Sequence, residues 1–264
     1  TVYDRRPLLA GLFFALAFGN RTEILLTAPI FVYFLKRRDA EAPNKAETDN
    51  APGRSGSPHS KSGTDLPNSP RLRVPAVNFR IVAAFCSVPF VLGVLTLIYN
   101  YVRFHSFSDF GYARIPGVLN EPWYKHGIFS TYYIPGQMWE MLWRPWETRS
   151  AFPYLVPNGF SSSILWSSPF LLFAFRRGSR ERALKYASWA AILVLCVLLW
   201  MHGNSGGWQF GYRYAMVCLP WIFVLLLESA PQKITPLEWA AYIFSFAANA
   251  YATWLFHWTD YLKP

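Results

Sequence analysis

A polar, glycine-rich turn at residues 203–214 carries the side chains and backbone best suited to binding an anion. It reads G-N-S-G-G-W-Q-F-G-Y-R-Y and lies between two apolar runs, residues 186–201 and 215–227. Each run is close to the ~20 residues that a helix needs to cross a bilayer. The glycines let the backbone approach a bound group, and Arg213 offers a forked cation that suits phosphate oxygens. The alternative is an ordinary helix–helix loop whose arginine reaches to the membrane interface.

A second polar break interrupts the apolar residues 7–35 at residues 19–23, which read G-N-R-T-E. We expect two short helices that meet at this break. Irregular backbone at membrane depth is tolerated only where it lines a cavity or is covered by protein, so Arg21 and Glu23 are candidate site residues. The alternative is one long tilted helix in which these two residues pair with each other or with a neighbouring helix.

Residues 102–163 are predicted to form a long extracytoplasmic loop rich in tryptophan and tyrosine. Flat aromatic faces can bind sugars or lipids, although they can also simply cover the helices or form an interfacial belt. The spacing of apolar residues predicts a short surface helix over residues 136–143. Arg103 and Arg114 are further phosphate-binding candidates, and the possible bases are Asp109, Glu121 and Glu23.

His202 is close to Ser205 in the sequence, but no carboxylate lies nearby to orient the imidazole. A nucleophile and base pair needs such a third group, so the sequence favours an interfacial polar role for His202 at its helix end. We predict no metal site and no cofactor. The three cysteines fall inside apolar runs and are expected to be buried and inert.

The composition excludes an ordinary soluble domain, because 53% of the residues are hydrophobic, 19% are aromatic and the apolar ones come in long blocks. The net charge of +10 comes from basic residues beside the apolar runs. Such flanks orient membrane helices, so no nucleic-acid partner is needed to explain the charge. The predicted fold is all-α, a multi-pass transmembrane helix bundle with a long aromatic extracytoplasmic loop.

Alternating basic and aromatic loops give the predicted order of segments. A broken apolar helix pair (residues 1–35) is followed by a disordered cytoplasmic loop (36–79), a transmembrane helix (80–101) and the aromatic loop (102–163). A four-helix transmembrane region follows at residues 164–258, with its outer turn at 203–213, and a tail covers residues 259–264. The second basic loop, residues 176–185, is predicted to be cytoplasmic.

Three motifs in this order resemble a known family. They are G-L-x-x-x-L-A-F-x-x-R-T-E from residue 11, Y-N-Y-x-R-F-x-S-x-x-x-F-G-Y from residue 99, and G-G-x-x-F-G-Y-R-Y from residue 206. Together they are similar to the C-terminal half of bacterial GT-C glycosyltransferases, the group that includes dolichyl-phosphate-mannose transferases, aminoarabinose transferases and RgtA/B/C/D-like enzymes. The resemblance covers about residues 7–220, apart from the loop at 36–79.

The resemblance implies a membrane enzyme of the bacterial inner membrane that moves a sugar from a polyprenyl-phosphate carrier to an extracytoplasmic acceptor. It implies that Arg213 and Arg21 hold the lipid phosphate and that residues 100–112 shape the acceptor side. The substrate-binding candidates are therefore Arg213, Tyr212, Gly207, Arg21, Arg103, Asp109 and Tyr112. The sugar and the acceptor are not identified by the sequence.

In this family the catalytic carboxylate lies in the first outer loop, after the first membrane helix. The chain has no matching segment, so we expect it to be a C-terminal part of a longer protein that holds only part of the site. The catalytic residues are therefore left unassigned. A transporter, flippase or non-catalytic scaffold explains the helices and basic loops equally well, although no internal repeat of the transporter kind is evident.

Overall fold

The structure, a computed structural model, describes residues 6–34, 79–107, 111, 114–207 and 210–261. The described chain is mostly helical, with only two short strands, which confirms the all-α prediction. The predicted disordered loop at residues 36–79 lies outside the described residues except for Phe79, the first residue of a helix.

The α-helices follow the apolar runs. They are α1 (Pro7–Asn20), α2 (Thr22–Phe34, which begins as a 3-10 helix over Thr22–Thr27), α3 (Phe79–Phe104), α4 (Ile134–Leu142), α5 (Ile164–Ser167), α6 (Arg182–Met201), α7 (Leu219–Glu228) and α8 (Pro236–Trp258). Further 3-10 helices cover Val118–Asn120, Pro122–Tyr124, Thr131–Tyr133, Pro169–Phe175 and Arg213–Cys218. Two short antiparallel strands, β1 (Glu147–Thr148) and β2 (Leu155–Val156), lie in the aromatic loop.

Two described helices, α3 and α6, are long and apolar enough to cross a membrane, with mean hydropathies of 2.5 and 1.9 over their best windows. Large apolar side chains along α3 are exposed, for example Phe90 and Val102, each 71% exposed. A helix with this surface is easier to accommodate in lipid than in water. These two helices favour membrane association, as the sequence predicts.

Prolines shorten two of the expected membrane spans. The apolar stretch that starts at Ile164 breaks after Ser167, because Pro169 opens a 3-10 helix instead of continuing α5. The run after the glycine-rich turn starts as a 3-10 helix, and α7, with Pro220 in its first turn, contains ten residues. Proline lacks the backbone N–H that a helix interior requires, which explains why apolar composition alone overestimates the helix lengths here.

The chain divides into two compact units. The first contains α1, most of α2 and α3 up to Leu97, and its core is the ring cluster of Phe14, Phe31 and Phe85, with centroids 5.2–6.0 Å apart. The second contains residues 21–26 and the described chain from residue 98 onwards.

The core of the second unit lies between α6 and α7, where Leu195 and Leu225 are fully buried. Cys196 and Cys218 are also buried there, and their sulfur atoms lie 3.9 Å apart. Cys86 on α3 is exposed, so the expectation that all three thiols are buried is wrong for this residue. Helix α3 exposes much of its apolar surface, and Cys86 belongs to that surface.

A capping box starts α8. The hydroxyl oxygen of Thr235 accepts from the backbone N–H of Glu238, and the Glu238 carboxylate accepts from the backbone N–H of Thr235. The other Glu238 oxygen pairs with Arg176 Nη1 at 2.6 Å, which ties the helix start to the chain after the 3-10 helix Pro169–Phe175. The cap thus fixes where α8 begins.

Thr235→Ala is expected to lower the free energy of unfolding by roughly 1 kcal/mol, because it leaves a helix N–H without its cap. Thr96→Ala is the matched control: its hydroxyl donates only to the Leu92 carbonyl within α3, and its loss should change stability by less than about 0.5 kcal/mol. Thermal unfolding of both variants in detergent measures the difference. Equal stability of the two variants would show that the box does not stabilise α8.

Candidate functional site

The glycine-rich turn begins where α6 ends, and hydrogen bonds join it to the aromatic loop. Gly203 donates its N–H to the carbonyl of Ile128 at 3.0 Å and accepts from Gln137 Nε2 of α4 at 3.0 Å. Beside it, the N–H of Ser130 donates to the carbonyl of Met201 at 2.8 Å. These three bonds fasten the loop to the turn, so the two segments form one surface.

Two glycines of the turn are required by its geometry. A Cβ at Gly203 would overlap the carbonyl oxygen of Trp123, so the loop can approach only a residue without a side chain. Gly207 has φ +54°, in the left-handed region, and a Cβ there would lie 3.3 Å from the ring of Phe160. Glycine adopts this conformation without the steric cost that other residues pay. Gly207 therefore shapes the turn through its backbone.

Arg21 and Arg213, which are far apart in the sequence, share one aromatic ring. The guanidinium carbon of Arg21 lies 5.0 Å from the ring centroid of Tyr214, and that of Arg213 lies 5.6 Å from the same centroid. These distances are in the range of cation–π attraction, and Tyr214 can hold both cations although they repel each other. We call Arg21, Arg213 and Tyr214 the cation pair site.

Further contacts fix each arginine of the cation pair site. Arg213 Nη2 donates to the carbonyl of Gly206 at 2.9 Å, so one nitrogen of its guanidinium group is bound to the turn. Arg21 Nη1 lies 3.7 Å from Glu23 Oε1, and the two side chains are 29% and 22% exposed. The polar break is thus present between α1 and α2, as predicted, and the alternative pairing of Arg21 with Glu23 occurs as well. Two cations and one carboxylate leave a net positive charge.

His202 is enclosed by aromatic rings beside this site. Its ring centroid lies 5.1 Å from Phe129, 5.9 Å from Tyr124 and 5.4 Å from Tyr214, all edge to face. Burial lowers the pKa of His202 below its ordinary value of 6.5, against smaller opposing effects of the Asn204 carbonyl and the Glu23 carboxylate. The histidine is therefore neutral at pH 7, and it is half-buried at the end of α6.

Tyr212 is 2% exposed and lies in the core. Its hydroxyl lies 2.7 Å from Gln137 Oε1, and the same glutamine donates to Gly203. Burial raises the pKa of Tyr212 above its ordinary value, so the phenol stays protonated and can donate. Tyr212 thus connects the turn to α4 from the inside, and the structure places its hydroxyl on a protein partner.

Arg103 lies in a second cation cluster at the end of α3. Arg103 Nη1 donates to the Tyr99 hydroxyl at 3.0 Å, and its guanidinium carbon is 5.0 Å from the ring of Phe104. Arg114 lies 5.3 Å from that same ring and donates to the Phe104 carbonyl at 2.7 Å. The structure therefore pairs Arg103 with Arg114 on Phe104, as it pairs Arg21 with Arg213 on Tyr214. Asp109 and Tyr112 lie outside the described residues.

Arg213 also lines a cavity of about 370 Å³. Most of the wall is apolar, and besides Arg213 the polar residues that line it are Ser167, Ser168, Tyr212 and Asn249. The Asn249 side chain donates to the Ser167 carbonyl at 2.8 Å, which holds the broken α5 against α8. An apolar cavity beside an arginine suits an amphiphile that carries an anionic group.

Other sequence candidates have local partners. Glu121 accepts from the indole N–H of Trp123 at 2.7 Å and so supports the aromatic loop. Within the residues that the structure describes, no three His, Cys, Asp or Glu side chains come together as a metal site. No local sequence pattern indicates Gln137, Asn249 or the enclosure of His202, since each depends on neighbours distant along the chain.

No protein-family profile, no curated protein and no solved structure matches the chain.

Proposed function

We propose that the chain is part of a membrane glycosyltransferase that moves a sugar from a polyprenyl-phosphate carrier to an extracytoplasmic acceptor. The observation that carries the proposal is the cation pair site, in which Arg21 and Arg213 meet on Tyr214. Two guanidinium forks can contact the oxygens of one phosphate, and arginine suits such oxygens better than lysine does. In the transfer reaction the same groups would stabilise the phosphate as it leaves.

The surroundings of the site fit a lipid-linked donor. The apolar cavity beside Arg213 could hold part of the prenyl chain, while the guanidinium group of Arg213 remains near the polar turn. The two membrane-length helices, α3 and α6, would hold the protein where such a carrier resides. In this proposal the protein is integral to a bacterial inner membrane, with residues 36–79 on the cytoplasmic side and the turn on the opposite side.

The test is equilibrium binding of a polyprenyl monophosphate to the protein of the complete gene in nanodiscs. Arg213→Ala is expected to weaken binding on the order of 30-fold, equivalent to about 2 kcal/mol, because it removes one charged partner of the phosphate. Arg213→Lys keeps the charge and a donor for the Gly206 carbonyl but loses the fork, so it should bind with intermediate affinity.

Arg149→Ala is the matched control. Arg149 Nη1 also donates to a backbone carbonyl, that of Tyr261 at 3.1 Å, and none of its recorded contacts in the described part of the chain is with the cation pair site. Its replacement should change the affinity less than twofold. Wild-type affinity in Arg213→Ala, or an equal loss in Arg149→Ala, would contradict the phosphate site. Binding without any sugar transfer by the complete protein would instead indicate a transporter, a flippase or a scaffold.

A further inference from the structure

The segment that leads into α6 carries more positive charge than its surroundings neutralise. Residues 176–185 contain five basic residues and one acidic residue. Arg177, Arg180 and Arg182 are exposed, and within the described residues their guanidinium groups form no hydrogen bond or ion pair. Arginine remains charged at any physiological pH. We call these three residues the arginine surface.

The other two basic residues of this segment hold its backbone in place. Arg176 Nη1 pairs with Glu238 Oε1 at 2.6 Å, at the start of α8. Lys185 Nζ donates to the carbonyls of Arg176 and Gly178 at 2.6 and 2.7 Å. These contacts fix the segment from the protein side, so the arginine surface has a defined position beside the start of α6.

A carboxylate next to the segment binds groups other than the arginine surface. Glu228 Oε2, at the end of α7, accepts from the Ser179 hydroxyl at 3.0 Å and from the backbone N–H of Glu181 at 2.7 Å. The backbone carbonyl of Glu228 accepts from the N–H of Arg180 at 3.3 Å. The carboxylates of Glu228 and Glu238 thus stabilise the backbone and Arg176, and the charge of the arginine surface remains available for an external anion.

The arginine surface lies at the end of an apolar face that the protein does not cover. Arg182 is the first residue of α6, and Tyr186 and Leu193 follow on the same side of the helix, because steps of four and eleven residues return to one face. Tyr186 is 70% exposed and Leu193 is 61% exposed. Helix α6 is also long and apolar enough to cross a membrane. A cation, a tyrosine and then apolar side chains are the order met on passing from lipid headgroups to acyl chains.

We infer that the arginine surface binds the headgroup of an anionic phospholipid whose acyl chains lie along the exposed face of α6. Guanidinium groups donate well to phosphate oxygens, and basic clusters beside a membrane helix attract anionic lipids. An acidic peptide would use the same charges, but it would leave the apolar face below Arg182 uncovered. The lipid site depends on the membrane position of α6 and not on the proposed sugar transfer.

The first experiment titrates the protein of the complete gene, in a neutral detergent, with phosphatidylglycerol and follows the first bound lipid by native mass spectrometry. Phosphatidylcholine, which has no net charge, is the comparison and should bind more weakly. The double variant Arg180→Gln, Arg182→Gln should lose on the order of 30-fold in affinity for phosphatidylglycerol. Arg180→Lys, Arg182→Lys keeps both charges and should stay within about threefold of the wild type.

The matched control is the double variant Lys125→Gln, Arg149→Gln. Both residues are exposed cations of the aromatic loop, so this variant removes the same charge from a different surface. Its affinity for phosphatidylglycerol should change less than twofold. The single variant Arg182→Gln, expected to lose about fivefold, serves if the double variant does not fold. Thermal unfolding in detergent reports folding of every variant.

A second experiment locates the lipid by amide hydrogen exchange in nanodiscs. Exchange over residues 177–186 should be slower in phosphatidylglycerol than in phosphatidylcholine, and Arg180→Gln, Arg182→Gln should remove the difference. Glycerol phosphate without lipid should give no protection, since it lacks the acyl chains that contact α6. Protection by glycerol phosphate alone would indicate a site for a free phosphate ester and overturn the lipid site.

Equal binding of the two lipids by the wild type, or wild-type phosphatidylglycerol affinity in Arg180→Gln, Arg182→Gln, would also overturn it. So would an equal loss in Lys125→Gln, Arg149→Gln. Binding of polyprenyl monophosphate should be unchanged in Arg180→Gln, Arg182→Gln, because the cation pair site is intact. Failure of the wild type to bind that carrier would overturn the proposed function and leave the lipid site standing.

Discussion

Arg21→Ala is expected to weaken polyprenyl-phosphate binding by on the order of 100-fold, more than Arg213→Ala does. The reason is the carboxylate of Glu23, whose Oε1 lies 3.7 Å from Arg21 Nη1. Without Arg21, this carboxylate loses its partner and faces the incoming phosphate with the same sign of charge. Arg213 is accompanied by the neutral carbonyl of Gly206, so its removal exposes no like charge.

The double variant Arg21→Ala, Glu23→Gln should therefore recover about tenfold in affinity relative to Arg21→Ala alone. Titration of each protein in nanodiscs with a polyprenyl monophosphate gives the four affinities of the cycle. In the wild-type background, Glu23→Gln should strengthen binding slightly, because it frees Arg21 from its ion pair. If Glu23→Gln restores nothing, the carboxylate does not face the phosphate and the position assigned to Arg21 is wrong.

Gly203→Ala is expected to lower the free energy of unfolding by about 1–3 kcal/mol, because its Cβ would overlap the Trp123 carbonyl and force the aromatic loop outward. The displaced loop would lose the bonds from Ser130 to Met201 and from Gly203 to Ile128. Thermal unfolding in detergent measures the first effect. Faster amide hydrogen exchange over residues 123–133 measures the second.

Gly136→Ala is the matched control and should have the opposite sign. Gly136 lies in α4, and a Cβ there meets nothing within 4 Å. Alanine in a helix is more stable than glycine by roughly 0.5–1 kcal/mol, so this variant should unfold at the same or a higher temperature. If Gly203→Ala and Gly136→Ala have equal stability and equal exchange, the loop is not fastened over the turn as described.

The sequence predicted the positions of helices where the distribution of apolar and polar residues alone determines them. The first helix break occurs at the predicted polar residues. Helices α3 and α6 lie on the predicted apolar runs, with ends that agree within a few residues. The short helix α4 was also predicted, from the spacing of its apolar side chains. The apolar runs that contain Pro169 and Pro220 form shorter helices than their composition predicts, because hydrophobicity does not report the missing N–H of proline.

The arrangement of the site was only partly predictable. Of the arginine candidates, Arg21 and Arg213 meet on Tyr214, whereas Arg103 pairs with Arg114 on Phe104. Contacts between residues almost two hundred positions apart depend on tertiary packing, which a single sequence does not encode in any local period. For the same reason, His202 could not be distinguished from an interfacial residue, since its enclosure comes from the aromatic loop.

The most direct measurement is an experimental map of the complete protein in a nanodisc with a polyprenyl monophosphate. The proposed phosphate site predicts phosphate density between the guanidinium groups of Arg21 and Arg213, within hydrogen-bond distance of both, and the prenyl chain entering the cavity beside Arg213. Phosphate density on Arg103 and Arg114 at the end of α3, or a cation pair site without ligand at saturating carrier, would contradict it.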